Sequence, residues 1–309
     1  MSFLREKNWE DPALQRILLP LQGFPAEVHA MNLAFSLAEP SKANIILLHC
    51  RERGTRSKKV MIDRLTTHAK SLSKKLSIPF SFTSVARIRA SDAILKAEQD
   101  EAVDLIILGA ARNPKHKHLL GSTARRVTRK SKSPNLVVSS WLDDLKKPSK
   151  PLVQKILLPI RKVSKDIAAL NLATALKKSS AAKDAEIIAL NLTPFLLVTK
   201  ETASETPEAE LARELFMDDL AIFTEETGLQ ITPKHVATRN VGEGALEVAE
   251  QEKVDLIILG STRKPGRFGA ILGRISFQIA LNASASVVIP FTRTGPEKNE
   301  HNVVDKPTD

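Results

Sequence analysis

The chain has 309 residues, 42% of them hydrophobic, which suits two domains of roughly 150 residues, each able to bury its own core. No run approaches the ~20 apolar residues of a bilayer-spanning helix. Residues Met1 to Lys7 carry no apolar secretory core, and the single cysteine, Cys50, excludes an intrachain disulfide. A soluble, cytoplasmic protein is expected. The formal charge of +11 is uneven: residues 1–150 hold 27 Lys and Arg against 14 Asp and Glu, and the remainder 19 against 21. The basic first half points to an anionic partner or to a solvated basic face.

Short apolar runs at Ile17–Leu21 and Asn44–His49 read as buried parallel strands. Between them Glu27–Ala38 reads as a largely apolar helix. Lys58–Leu76 places Ile62, Leu65, Ala69, Leu72 and Leu76 at three- and four-residue spacings, one helical face. Strand Phe80–Val85, helix Ser91–Gln99, strand Val103–Leu108, helix Ser122–Lys132 and strand Asn135–Ser139 follow. The order then repeats. Strands are expected near Lys155–Pro159, Glu186–Leu190, Ile231–Val236, Asp255–Leu259 and Ser286–Ile289, with helices near Lys165–Lys178, Glu208–Thr227, Gly244–Gln251 and Gly273–Leu281.

The repetition is nearly literal. The heptapeptide from Val103 to Gly109 recurs unchanged from Val254 to Gly260. Arg16-Ile17-Leu18-Leu19-Pro20 is matched by Lys155-Ile156-Leu157-Leu158-Pro159, Gly121 by Gly273, and Asn135-Leu136-Val137-Val138 by Ala285-Ser286-Val287-Val288. Four landmarks in one order define a tandem duplication. The alternation of strand and helix predicts an α/β fold: two tandem doubly wound domains, each with its own five-stranded parallel sheet. The expected division is an N-terminal extension 1–12, domain 1 over 13–141, a linker 142–153, domain 2 over 154–291 and a disordered polar tail 292–309.

Open parallel sheets bind ligands beyond the carboxyl ends of their strands. There the fourth strand of each copy is expected to end in Gly109 or Gly260, followed by a basic loop and a second glycine, Gly121 or Gly273, opening a helix. Glycine permits close approach of backbone to a ligand, and a helix N-terminus favours an anion. Together with the Ile-Leu-Leu-Pro first strand and Leu48-His49 ending the second, these features resemble the universal stress protein family over nearly the whole chain, twice. The resemblance implies an adenine nucleotide alpha-hydrolase-like fold. In nucleotide-binding members it also implies a Gly-x2-Gly-x9-Gly-Ser/Thr phosphate motif and an Asp at the end of the first strand.

Both copies depart from that motif. Copy one reads Gly109, two alanines and Arg112, then only eight residues before Gly121, Ser122 and Thr123; copy two reads Gly260-Ser261-Thr262-Arg263, nine residues, then Gly273-Arg274. Gln22 and Arg161 stand at the Asp positions. Either Arg112 and Arg263 give charge-assisted contacts to a phosphate in an altered geometry, or the sites are vestigial and the domains act as an interaction scaffold. The second reading is preferred. No cofactor is expected, with weak ATP or AMP binding as the alternative, and copy one is the better residual site.

Other clusters read more plainly. His116 and His118 lie among Lys115 and Lys117, which repel a metal cation, so no metal site is expected. His49 and Cys50 read as packing residues, and no nucleophile elbow or Walker sequence occurs, so no enzyme is predicted. The basic run Arg51–Lys59 with Arg125, Arg126, Arg129, Lys130 and Lys132 could track phosphates. An aromatic content of 4% without tyrosine disfavours nucleic acid, because little is left for base stacking. A stress-response or regulatory module is therefore expected, alternatively a docking domain for a membrane transporter. The strands Asn135–Ser139 and Ser286–Ile289 are expected to pair as an intrachain pseudo-dimer, with a homodimer also open.

Overall fold

The structure, a computed structural model, describes residues 14–24, 27–51, 59–112, 121–141, 153–194, 207–260 and 273–291. The first half runs β1 (Arg16–Leu21), α1 (Glu27–Ala38), β2 (Asn44–Arg51), α2 (Lys59–Leu76), β3 (Phe80–Ala86), α3 (Ala90–Asp100), β4 (Leu105–Arg112), α4 (Ser122–Lys130) and β5 (Asn135–Trp141). The second runs β6 (Lys155–Pro159), a 3-10 turn (Val163–Lys165), α5 (Ile167–Lys177), β7 (Glu186–Pro194), α6 (Pro207–Thr227), β8 (Thr232–Thr238), α7 (Val241–Gln251), β9 (Leu256–Ile258), α8 (Arg274–Asn282) and β10 (Ser286–Phe291).

Within each half every strand pair is parallel, as βαβ crossovers require. The five parallel strands of each copy join edge to edge into a single ten-stranded sheet ordered β3-β2-β1-β4-β5-β10-β9-β6-β7-β8. The merger is the predicted pairing of the last strands. β5 and β10 run antiparallel, with Val138 opposite Val288 and Asn135 opposite Phe291. Measured from the fourth strand, Val137 beside Leu108 and Ile289 beside Leu259 are equivalent positions and they pair with each other, so a local two-fold axis passes through that pair, as at an isologous interface. An edge strand leaves a row of unpaired N–H and C=O groups, and here each copy closes the other's edge.

Side chains alternate across the sheet and build two apolar layers. One holds Ile17, Leu19, Ile45 and Leu47 with α1, α2, α5 and α6; the other holds Leu18, Ile46, Leu48 and Ile106 with α3, α4, α7 and α8. Each layer contains buried residues of both copies, so the core is continuous across the joint. Polar contacts also cross it: Ser180 donates through N–H and Oγ to Glu39 Oε2 at 2.8 and 2.9 Å, and His29 Nδ1 meets Ser286 Oγ at 3.3 Å.

The Asp of the repeated heptapeptide has a structural task. Asp104 Oδ2 accepts the N–H groups of Gln15 and Arg16, both at 2.9 Å; Asp255 Oδ2 accepts those of Gln154 and Lys155, at 2.8 and 3.0 Å. Each carboxylate fastens the start of its copy's first strand to the start of the fourth. Val103 and Asp104 therefore precede β4 instead of opening it.

Candidate functional site

The carboxyl edge of the sheet in copy one is assembled by the β1–α1 turn, the end of β2 and the far half of β4. Sequence reasoning expected β4 to stop at Gly109 and a loop to begin. Instead the strand continues to Arg112, with Gly109 opposite Val138, Ala110 opposite Ser139, Ala111 opposite Ser140 and Arg112 opposite Trp141. With Arg112 where a second glycine would favour a turn, the backbone stays extended and keeps its ladder bonds to β5.

The centre of this edge is Glu27, which sequence reasoning read only as the start of a helix. Its carboxylate is buried, 3% exposed. Oε1 accepts the N–H of Gln22 at 2.7 Å, and Oε2 accepts those of Gly23 at 3.0 Å and Phe24 at 3.2 Å. The turn after β1 is thereby wrapped around the chain's own anion at the N-terminus of α1, where negative charge is favoured. Gly109 packs directly on it: a Cβ at that position would lie 3.0 Å from Glu27 Cγ and 3.4 Å from Glu27 Cα.

Copy two repeats the arrangement with a shorter acid. Asp166, 8% exposed, accepts the N–H groups of Arg161 at 2.9 Å and Lys162 at 3.3 Å through Oδ2. A Cβ on Gly260 would overlap Asp166 Oδ1 outright. Glu27 and Asp166 both stand seven positions after the proline of the repeated first strand, Pro20 or Pro159. That shared spacing was the available signal.

Burial pushes the Asp166 carboxyl above its ordinary pKa, against the downward pull of the Arg161 and Lys162 N–H bonds and of the nearby Arg161 and Lys165 charges. A raised folded-state pKa means that the fold binds this proton more tightly than the unfolded chain does. The stability it contributes is full below the ordinary carboxylate pKa and fades as pH rises through the raised value. Asp166→Asn keeps an acceptor and removes the charge. Its stability relative to the native chain is therefore expected to improve as pH rises above the ordinary carboxylate range of about 4, measured as urea midpoints; a pH-independent difference would contradict the assignment.

Both copies also tie the second strand to the first at this edge. His49 Nδ1 meets the Leu21 carbonyl at 3.1 Å, and Asn191 Nδ2 donates to the Ile160 carbonyl at 3.1 Å. A carbonyl only accepts, so Nδ1 donates and the His49 ring ties β2 to the end of β1. Cys50, beside it, is buried at 8% exposure.

The remaining predicted residues fall as follows. Gln22 is exposed in the β1–α1 turn, and Arg161 is exposed at the matching place. Gly121 is the N-cap of α4, with Ser122 and Thr123 its first two residues; Gly273 is the N-cap of α8. Neither N-cap glycine has positive φ, and a Cβ on either would meet nothing within 4 Å. No side chain caps either helix. Through Glu27 the structure brings Gln22 and Gly109 together, and through Asp166 it brings Arg161 and Gly260 together. Arg263, residues 115–118 and the basic stretch 52–58 lie outside the described residues, as do the predicted extension, tail and most of the linker. Among the described residues no group of His, Cys, Asp or Glu could hold a metal ion, and no helix is long and apolar enough to cross a membrane.

Known proteins share this architecture. Solved structures cover both copies at once: a functionally unknown protein from Pseudomonas aeruginosa PAO1 (16% identity, 90% of this chain and 92% of that one, TM-score 0.58) and a universal stress protein from Archaeoglobus fulgidus (17%, 89% and 97%, 0.57). The cytoplasmic domain of a prokaryotic cation chloride cotransporter shares the fold at 14% identity, covering 90% of this chain and 95% of that one, with a TM-score of 0.56. No individually curated protein sequence matches. The family model described as the universal stress protein family matches twice, over residues 13–139 and 153–289, the two arms of the duplication seen in the sheet. This chain belongs to the universal stress protein family, as a tandem of two such domains in one polypeptide.

Proposed function

We propose that the chain is a non-enzymatic, cytoplasmic stress-response or regulatory module whose two sheet edges bind adenine nucleotide weakly or not at all. The observation that carries this reading is the pair of buried carboxylates. Glu27 and Asp166 use up N–H donors of the turn after the first strand and fill the space beside Gly109 and Gly260. A phosphate approaching those glycines meets carboxyl oxygens instead of free backbone donors, and its own oxygens are left without partners there. The glycines are accounted for by packing on the acids. Gln22 and Arg161 in place of the family's Asp weaken the adenine side as well. What favours residual binding is the open N-cap at Gly121, followed by Ser122 and Thr123.

Calorimetric titration with ATP tests the reading, using the native chain and the Arg112→Gly, Arg263→Gly double variant. The expected result is no heat of binding below about 1 mM for either, which corresponds to less than about 4 kcal/mol of binding free energy. Micromolar binding by the native chain would refute the vestigial reading. Binding by the double variant alone would place the block at the arginines and not at the acids. A second reading, docking to a membrane transporter, is supported by the cotransporter domain that shares the whole two-domain fold; co-purification with a transporter from solubilised membranes would favour it.

A further inference from the structure

The charge asymmetry of the sequence has a location in the fold. α2 and α6 are equivalent helices of the two copies, and both lie in the layer built on Ile17, Leu19, Ile156 and Leu158. In that layer α2 contacts α1, α1 contacts α5 across the joint, and α6 covers β7 and β8 at the far end. α2 carries Lys59, Arg64, Lys70, Lys74 and Lys75 against Asp63; α6 carries seven acidic residues against Arg213. One helical face thus ends in a basic helix on one side and an acidic helix on the other.

α6 is also apolar where a monomer gains nothing from it. Phe216, Leu220 and Phe223 face the core, while Leu211, Leu215 and Ile222 are 56%, 57% and 44% exposed. Spacings of four and seven residues put these three on one stripe of the helix, interleaved with exposed Glu214, Asp218, Glu225 and Glu226. On α2 the outward stripe is Val60, 68% exposed, with Arg64, Lys74 and Lys75. Each stripe sets exposed apolar surface beside the charge sign that the other lacks.

We infer that two copies of this chain associate through this helical face, each α6 docking on the α2 of the other. Charge selects the arrangement: a two-fold contact that sets α2 against α6 does so twice, whereas one that sets α2 on α2 and α6 on α6 opposes like charges. At 1.5 Å per residue the helices are roughly 27 and 31 Å long, matched in length, and the symmetry doubles the contact. The continuous sheet leaves β5 and β10 unavailable for dimerisation, so self-association has to use another surface.

Sedimentation velocity on the full chain across protein concentration and salt tests the inference. The expected result is a monomer–dimer equilibrium that weakens at least tenfold between about 50 mM and 500 mM salt, because exposed charges are screened. Glu214→Lys with Asp218→Lys should weaken dimerisation at least tenfold, and adding Arg64→Glu with Lys74→Glu to the same chain should restore it. Leu215→Ser, at an exposed site and without charge change, should weaken it too. A chain that stays monomeric at every concentration overturns the proposal. So does a dimer indifferent to the first charge reversal, or one weakened by it and not rescued by the second.

Discussion

Gly260→Ala is expected to lower the free energy of unfolding by about 3 kcal/mol, the upper end of what overpacking usually costs. The new methyl would coincide with Asp166 Oδ1, and Asp166 has no easy retreat. Its other oxygen is held by the Arg161 and Lys162 N–H groups, and the residue is buried at the start of α5. Gly109→Ala should cost less, about 1 kcal/mol. There the nearest atom is Glu27 Cγ at 3.0 Å, on a longer side chain able to yield by a few tenths of an ångström. Urea midpoints of Gly260→Ala, Asp166→Ala and the double variant form the deciding cycle. Asp166→Ala removes the overlap, so the double variant should lose at least about 1 kcal/mol less than the sum of the single losses. Strict additivity would show that the glycine is required for some other reason.

Val288→Asp is expected to cost on the order of 4 kcal/mol, because it buries an unpaired charge. Val288 is 0% exposed and lies opposite Val138 on the β5–β10 ladder, next to the local two-fold. The substitution acts on both copies at once, since Val138 and Val288 belong to one apolar layer that holds buried residues of both copies. The joint can also be read directly. With a protease site placed within residues 142–152 and cut, the two native halves should stay together on gel filtration. The same cut in the Val288→Asp chain should release them. Halves of the native chain that separate on cutting would mean that the polypeptide connection, and not the β5–β10 ladder, holds the molecule together.

Much of this molecule can be read in order along the chain. Periodicity and the repeated landmarks place ten strands and eight helices among the described residues within a few positions, because buried parallel strands are continuous apolar runs and the surface helices α2 and α3 show a clear apolar face. The exceptions are instructive. Val103 and Asp104 are apolar and acidic neighbours that read as strand, yet Asp104 turns back to hold Gln15 and Arg16. β4 runs through Gly109 because pairing with β5 continues where a glycine alone suggests a stop. In both cases a partner distant in sequence overrides a local signal.

The candidate site divides in the same way. Its glycines, the arginines at 112 and 263, and the missing first-strand Asp are visible as residue types at fixed spacings. The acids at 27 and 166 are visible only as ordinary helix-start residues. Their burial, and their position against the fourth-strand glycine, depend on β1 and β4 being neighbours, which local pattern does not state.

The duplication, the fold class, the family and the pairing of the last strands can all be read along the chain, since they rest on hydrophobic period and on identical residues in register. Folding settles where the two sheets join, because an edge strand's unpaired backbone can be satisfied in more than one register and packing selects Val137 opposite Ile289. Folding likewise places Gly109 and Gly260 against a buried carboxylate. The cause is common to both: the deciding contacts join residues more than 80 positions apart, and they become neighbours when the chain is folded.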